Sequence, residues 1–561
     1  MFEGPSVYRL LPVVKVEVAV GRTRVWRGSR TEQDGSLVHL ARPVAADEWP
    51  DPVTDLVAWT RRLRLDHAEH AGPVAVHRAS DAGRWVITWP WSGAERARLI
   101  AEAAVDLALR SVSPGRHVRL TGMQTRVLGR WTERITAARA TPPGWIRDEA
   151  RHIPVVSITG TNGKSTVTRL ITHILLHSGR HVGTTTSDGI LVDEQLVEAG
   201  DWTGPGGAAA VLGRSDVDVA VLETARGGLV QRGIGYESNQ ASVFTNVSSD
   251  HLDLGGVHTL AELAEVKSTV CRITRADGWV VLNADDPYVA ALARRVRAKV
   301  AWFSIDLPGS AVLARHRVKG ARAYTLEDGY LVAREDGAAV PFLAVADLPV
   351  ALGGLAPYNV ANALAAAAGA RAMGATLEEV ADGLRDFRPS AELSPGRMNL
   401  FTLGQRIVIV DFAHNEAGAE AILAVAAAVA AGAGATSVTA PVTAPVTAII
   451  GTAGDRPDDT LRGIGRITAG RAQRVAVKET RAYLRGRPAA DVVRLLREGL
   501  AEGGANLADV PVYETEVAAL ESELSGADAP QVIVLFCHEQ RDEVFALLAQ
   551  LGAKARNGNH A

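Results

Sequence analysis

Seven consecutive residues, Gly160-Thr161-Asn162-Gly163-Lys164-Ser165-Thr166, are of the types that hold a nucleotide triphosphate. Glycines let successive backbone N–H groups wrap a phosphate, a lysine reaches the β- and γ-phosphates, and paired hydroxyls are offered to Mg²⁺. The run lies between IPVVSITG, which reads as a buried strand, and STVTRLITHILLHSG, a helix predicted to stop at Ser178-Gly179. Strand, loop and helix in that order are what the chemistry requires. Ile158 stands where the longer form of such loops has glycine, so the loop is a shortened variant. A glycine turn that only caps a helix has no use for a lysine followed by two hydroxyls.

Two further residues stand at the ends of predicted strands, where open α/β sheets place their ligands. Glu223 ends the apolar run VDVAVLE, and His251 follows ASVFTNV. A carboxylate and an imidazole there can hold a second Mg²⁺ near the γ-phosphate. Taken singly, Glu223 reads equally well as a solvated strand end and His251 as a turn histidine bonded to a neighbouring aspartate. Lys267, in EVKSTV, reads by itself as an exposed helix lysine. Asn359 and Asn362, in YNVAN, fall three apart on one helix face.

These residues need elements to position them. From about Arg151, IPVVSITG, VDVAVLETA, ASVFTNV and GWVVLNA are short apolar runs separated by helical stretches, the pattern of a parallel sheet covered on both faces. Within residues 300–355, AYTLEDGYLVARED predicts a β-hairpin turning at Asp328-Gly329. From about Pro395, RIVIVDFAH, VTAIIGTAG, QRVAVKET and QVIVLFC alternate with helices such as AADVVRLLREGLAE, which predicts a second, smaller doubly wound unit. Inside it GAGATSVTAPVTAPVT, with its tandem TAPVTAPV, reads as a surface loop.

The first 150 residues differ in texture. They hold eight of the eleven tryptophans, Trp26, Trp49, Trp59, Trp85, Trp89, Trp91, Trp131 and Trp145, better explained by packing than by a binding box. VKVEVAV and RWVITWPW alternate as strands. ERARLIAEAAVDLALRSV predicts an amphipathic helix burying Ile100, Ala103, Ala104, Leu107 and Ala108 and exposing Glu95, Arg98, Glu102 and Asp106. A small α+β unit follows, with ATPPGWIRDEARH as the linker after it. The expected domains are 1–148, 149–394 and 395–561.

With 561 residues and 47% hydrophobic composition the chain can bury several cores. Lys plus Arg total 60 and Asp plus Glu 63, and a net charge of −3 gives no reason to expect nucleic acid or an anionic membrane as partner. Two cysteines, Cys271 and Cys537, fit a reducing compartment. No secretory leader is recognisable, and no run of about 18 strongly apolar residues occurs, so a cytoplasmic location is expected.

The ordered set VVSITGTNGKST, TTTSDGILV, WTGPGGAA, AVLETARGGLVQRGIGY, NVSSDHLDLGG, EVKSTV, VLNADDP, APYNVANALAAAAGA, SPGRMNLF and VDFAHN resembles the Mur ligase superfamily. It is most similar to the C-terminal, Mur-like module of cyanophycin synthetases, over about residues 150–550. The resemblance implies an α/β fold: a phosphate-loop central domain with a parallel sheet, a Rossmann-like C-terminal domain and, here, a small α+β N-terminal domain. It implies ATP and Mg²⁺ as cofactors, with Gly160 to Thr166 on the phosphates. Ser165, Thr166, Glu223, His251 and Lys267 fall at the metal site, and Lys164, Lys267 and His251 become the catalytic residues. In many Mur ligases the lysine matching Lys267 is carbamylated. The resemblance places Asn359 and Asn362 on the adenine, with Tyr358 where the family more often has His. It places Arg397 on the phosphates and Asp411, beside His414, on the ribose.

The implied reaction is ATP-dependent amide formation through an acyl phosphate, releasing ADP and phosphate. Its partners are a small-molecule or peptide carboxylate and an amino acid, with a homo-oligomer admitted. A Mur ligase acting on a UDP-linked precursor and a non-catalytic nucleotide-binding partner are the alternatives. Cyanophycin synthetases also carry an ATP-grasp module, for which the first 150 residues leave no room, so a single ATP site and one ligation chemistry are expected. KETRAYLRGRP departs from their more acidic segment, so an incoming amino acid other than arginine is expected if that segment reads the amine.

Overall fold

The computed structural model describes residues 1–2, 4–19, 42–43, 45–69, 72–78, 83–110, 121–249, 252, 257–306, 322–432 and 444–556. Trp26, His251 and most of the TAPVTAPV stretch lie outside the described residues.

Near the N-terminus, Val13–Ala19, Arg84–Pro90, Ala75–Arg78 and Arg42–Pro43 form, in that spatial order, an antiparallel four-stranded sheet. Helices Asp51–Asp66 and Ala94–Leu109 pack together in the same unit. Ile100, Ala103, Ala104 and Leu107 are fully buried, as the helical spacing predicts, and Trp59, Trp89 and Trp91 lie in the same core. The stretch after this unit is no free tether. The Ile146 N–H donates to the Gly235 carbonyl at 2.9 Å, and the Glu237 N–H donates back to Ile146 at 2.9 Å.

The second sheet has eleven strands. In spatial order they are Ala338–Ala344, Tyr330–Glu335, Arg322–Glu327, Lys299–Ser304, Thr274–Asn283, Asn239–Phe244, Val155–Thr159, Val219–Glu223, Val182–Thr185, Gly189–Val192 and Gln195–Ala199. The seven strands from Arg322–Glu327 to Val182–Thr185 run parallel. Both edges are antiparallel hairpins, so the sheet is mixed rather than parallel throughout. One hairpin turns at Asp328-Gly329, both at positive φ, as the sequence predicts. The other was not foreseen, because Gln195–Ala199 is exposed along its whole length and carries no apolar alternation.

Two helices cover one face of this sheet. Lys164–His177 has eleven buried residues, among them Val167, Leu170, Ile171, Ile174 and Leu175, and the alanine-rich Pro357–Ala372 lies beside it. The small alanines let the second helix approach the sheet closely, and the two together bury the apolar centre.

The third sheet has seven strands in the order Val512–Tyr513, Arg474–Lys478, Val446–Ile450, Gln531–Phe536, Arg406–Asp411, Asn399–Leu403 and Lys554–Ala555. The first five are parallel to one another, and each of the last two pairs antiparallel with the strand before it, with helices on both faces, as in doubly wound folds.

Candidate functional site

The strand Val155–Thr159 is wholly buried between Asn239–Phe244 and Val219–Glu223, and its loop opens at the carboxyl edge. Gly160 has φ +147°, and a Cβ there would meet the Thr245 hydroxyl at 1.9 Å. Gly163 has φ +85° and lies so close to Asn362 that a Cβ would stand 2.2 Å from its Oδ1. Both positions require glycine. The loop is tied down further: the Asn162 N–H donates to Asn246 Oδ1 at 2.9 Å, and the Thr245 hydroxyl donates to the Asn162 carbonyl at 2.7 Å. Lys164 Nζ donates to the Thr161 carbonyl at 2.8 Å, folded over the loop. Helix Lys164–His177 starts at Gly163 with no side-chain cap, leaving its first N–H groups and positive dipole end turned to the loop.

Facing this loop is a cavity of about 360 Å³. Thr161 to Thr166 form one wall, and Asn359, Asn362, Arg397, Asp411 and His414 lie around the rest. Ten of the candidate residues read from the sequence therefore line one space. Asn362 Nδ2 donates to Asn359 Oδ1 at 2.9 Å, and Asn359 Nδ2 donates to the Val350 carbonyl at 2.8 Å, which fixes both amides. The Tyr358 phenol donates to Met398 Sδ at 3.2 Å, and burial followed by the nearby Asp411 charge pushes its pKa well up, so it stays neutral. Asp411 Oδ2 accepts the Met398 N–H at 2.9 Å. Burial raises its carboxyl above the ordinary range against the pull of Arg397.

Glu223 and Lys267 lie beside the loop and, like Gly160, outside the lining of this cavity. Glu223 is 3% exposed; burial raises its carboxyl, and Lys164, the Ser165 hydroxyl and Arg397 oppose that shift. Its Oε2 is buried and has no hydrogen-bond partner. A desolvated carboxylate oxygen left over beside a hydroxyl is a donor set suited to a hard divalent cation, so these residues fit Mg²⁺. Lys267 is not the exposed helix lysine its sequence alone suggests. It is 4% exposed, and Nζ donates to the Gly160 carbonyl at 2.6 Å.

The walls of the cavity come from two sheets, and specific contacts join them. Asn415 caps helix Glu416–Ala430, and its Nδ2 donates to Asn162 Oδ1 at 3.0 Å. Arg541 Nη1 donates to Asp188 Oδ1 at 2.6 Å, and Arg169 Nη2 donates to Asp188 Oδ2 at 2.9 Å. Burial raises the Asp188 carboxyl, but Arg397, Arg541 and Arg169 together outweigh it and hold it below the ordinary range. Arg397 lies 4.4 Å over the Phe412 ring, and both residues line the cavity.

Behind Phe412 is a buried charged group that pattern reading missed. Lys478 Nζ, fully enclosed, donates to Glu516 Oε1 at 2.5 Å and Thr480 Oγ1 at 3.0 Å, and lies 3.0 Å from His538 Nδ1. Burial followed by the Lys478 charge pushes His538 well below its ordinary pKa, so the ring is neutral. The ammonium has only protons to offer Nδ1, which puts the ring proton on Nε2, where it donates to the Ala413 carbonyl at 3.1 Å. The group thereby holds the 411–414 segment in place.

Burial raises the Glu516 carboxyl, yet Lys478 and backbone N–H donors, that of His538 among them, outweigh it and hold it at about 2. A depressed carboxyl stabilises the fold fully above its unfolded value of 4.5, and that contribution is lost as pH falls towards about 2. Glu516→Gln, by leaving Lys478 buried without a counter-charge, is expected to cost about 3–5 kcal/mol. Denaturant unfolding at neutral pH reads this as a lower midpoint, and the gap between variant and wild type should narrow in acid. A lysine ending the apolar strand QRVAVK was the available signal, since fully buried lysines are nearly always paired. Asp188 and Asn415 lay inside recognised motifs, but their partners are 353 and 253 residues away.

The family described as Mur ligase middle domain matches residues 158–370. The cyanophycin synthetase of Crocosphaera subtropica is 39% identical over 384 residues, 68% of this chain and 42% of that protein. The UDP-N-acetylmuramoyl-L-alanyl-D-glutamate–2,6-diaminopimelate ligase of Alkalilimnicola ehrlichii is 32% identical over 284 residues, 49% of this chain and 53% of that protein. The chain thus spans about two fifths of the length of the cyanophycin synthetase it matches. Among solved structures, a bifunctional folylpolyglutamate synthase/dihydrofolate synthase with Mn, AMPPNP and L-glutamate bound superposes with TM-score 0.51 at 18% identity. The alignment covers 71% of this chain and 89% of that one. The corresponding protein of Yersinia pestis gives TM-score 0.50 at 18% identity, over 71% and 89% of the two chains. The sequence motifs, the two sheets meeting at a phosphate loop and these matches agree, and the chain belongs to the Mur ligase superfamily.

Proposed function

We propose that this chain is an ATP-dependent carboxylate–amine ligase that forms an amide bond through an acyl phosphate and releases ADP and phosphate. The observation that carries the proposal is the single cavity uniting Lys164, Asn359, Asn362, Arg397 and Asp411. The backbone N–H groups at the start of helix Lys164–His177 bind the phosphates, and Lys164 leaves the Thr161 carbonyl for the β/γ-phosphate oxygens. Arg397 approaches the same oxygens from the opposite wall. Asn359 and Asn362 present fixed amide groups to the base, and Asp411 accepts from the ribose hydroxyls. Ser165, Thr166, Glu223, His251 and a carbamylated Lys267 are the proposed Mg²⁺ ligands. The metal, when bound, neutralises charge on the transferring phosphoryl group. The substrate carboxylate takes the γ-phosphoryl group, an amine attacks the acyl carbon, and phosphate departs with the oxygen it received. Most of the acceleration in such a scheme comes from positioning and from charge stabilisation.

We read the chain as three domains, 1–148, 149–394 and 395–561, with the active site between the last two. The substrates are a small-molecule or peptide carboxylate and an amino acid. Cys271 and Cys537 are both buried free thiols, which suits the reducing cytoplasm. No helix among the described residues is long and apolar enough to cross a membrane.

The test is ADP release from Mg-ATP with the amino acids supplied one at a time, each with a panel of peptide carboxylates. Sustained release should require Mg²⁺, an amino acid and a carboxylate together. Glu223→Ala should lower it by at least about 100-fold, the scale of losing one electrostatic stabiliser. Full activity in excess chelator, or in Glu223→Ala, would contradict the reading.

A further inference from the structure

Far from the phosphate loop, at the other end of the same helix, three side chains of metal-ligating type converge. His173 and His177 stand one turn apart on helix Lys164–His177, and Asp386 ends helix Leu377–Asp386. One donor atom from each lies within 4.8 Å of the other two. His177 Nε2 is 3.4 Å and His173 Nε2 3.7 Å from Asp386 Oδ2. In a tetrahedral site with bonds of about 2.0–2.1 Å, neighbouring donors sit roughly 3.4 Å apart, so little movement is needed.

A second observation points to a ligand. His173 is 9% exposed, and its Nε2 is buried with no hydrogen-bond partner. Its Nδ1 lies 2.8 Å from Glu194 Oε1. A carboxylate only accepts, so Nδ1 carries a proton, and in the neutral ring the lone pair is then on Nε2, the nitrogen on the Asp386 side. A carboxylate behind a histidine in this way fixes the tautomer that binds metals. Glu194 takes this place from a tight turn in which it has φ +66° and Asp193 has φ +48°, a conformation L side chains adopt at a cost. The helix end adds partial negative charge, which favours a cation there.

We propose that His173, His177 and Asp386 form a binding site for a divalent transition metal, Zn²⁺ first, with Glu194 orienting His173 and a water completing the coordination. Two imidazoles and a carboxylate suit Zn²⁺ far better than Mg²⁺. The ion clamps the end of the phosphate-loop helix to the residue that begins the passage to Arg397. Arg169, on the same helix, already holds that passage by donating to the Leu393 carbonyl at 2.7 Å. The site is separate from the one proposed for Mg²⁺, and the inference does not rest on the ligase reading.

The test uses the full chain, stripped of metal by chelator, without nucleotide, and titrated with Co²⁺. One equivalent should give the intense visible absorption of four-coordinate cobalt, and Zn²⁺ should displace it. His177→Gln and Asp386→Asn should abolish the band; their side chains are 33% and 65% exposed, so both variants should fold. Glu194→Gln should weaken binding by about 10- to 100-fold, as loss of an outer-shell partner does. Glu223→Gln should leave the band intact. As a readout independent of the variants, Zn²⁺ should slow amide hydrogen exchange at residues 173–177 and 386–394 of the wild-type chain. No four-coordinate spectrum in the wild type, a band that survives in both ligand variants, or unchanged exchange at those residues would overturn the proposal.

Discussion

Lys164→Ala is expected to abolish amide formation, with turnover lowered by at least about 1,000-fold and the fold intact. Losing one neutral donor at a developing charge costs about 100- to 1,000-fold, and a lysine also removes a full positive charge. The effect should be this large because the loop has no substitute. Thr161 to Thr166 offer backbone N–H groups and hydroxyls but no second cation, and Arg397 reaches the cavity from the other wall. The lysine is only half-buried and bonds the Thr161 carbonyl of its own loop, so its removal should leave the fold standing. Steady-state ADP release, with a thermal melt alongside, separates lost chemistry from lost structure. Near-normal turnover in a folded variant would contradict the loop assignment.

Lys267→Arg is expected to be equally inactive. A cation whose only task is to face phosphate would tolerate arginine. Lys267 instead lies 4% exposed behind the loop, with Nζ donating to the Gly160 carbonyl at 2.6 Å. Its amine can add to CO₂, losing a proton and becoming a carbamate that keeps one N–H for Gly160 and presents two oxygens to Mg²⁺. Arginine cannot form that carbamate, and its larger head would press on a loop whose Gly160 has no room for even a Cβ. Three variants separate the readings. Lys267→Gln keeps an N–H donor and would stay active if the lysine only braced Gly160. Lys267→Ala should be dead yet partly rescued by acetate, which can supply the missing carboxylate oxygens. An active Lys267→Arg enzyme would end the carbamate account and leave the ligase proposal standing on Lys164 and Glu223.

These two residues illustrate what the sequence discloses. The phosphate loop is local: glycines, lysine and hydroxyls are contiguous, and the strand and helix around them are read from apolar runs on either side. Asn359 and Asn362 are equally legible, since helical spacing alone puts them on one face. Lys267 is not, because its burial depends on a partner 107 residues away. The same holds for Asp188 with Arg541 and for Lys478 with Glu516, where two charged residues each look solvated until the fold brings them together. The antiparallel edge at Gln195–Ala199 escaped for the opposite reason: an exposed strand buries nothing and leaves no pattern. Asn162 and Asn415 are bonded to each other across the cavity although 253 residues separate them, so this joint between the two sheets also leaves no local sign in the sequence.

The central claim is that the cavity cleaves ATP between the β- and γ-phosphates to drive amide formation. Phosphorus NMR of Mg-ATP turnover, run with each amino acid and a peptide carboxylate and paired with mass spectrometry of the product, tests it most directly. The account predicts one ADP and one inorganic phosphate for every amide formed, with no sustained nucleotide turnover when either co-substrate is left out. Formation of AMP and pyrophosphate, or ADP release that continues without an amine while no amide appears, would contradict it.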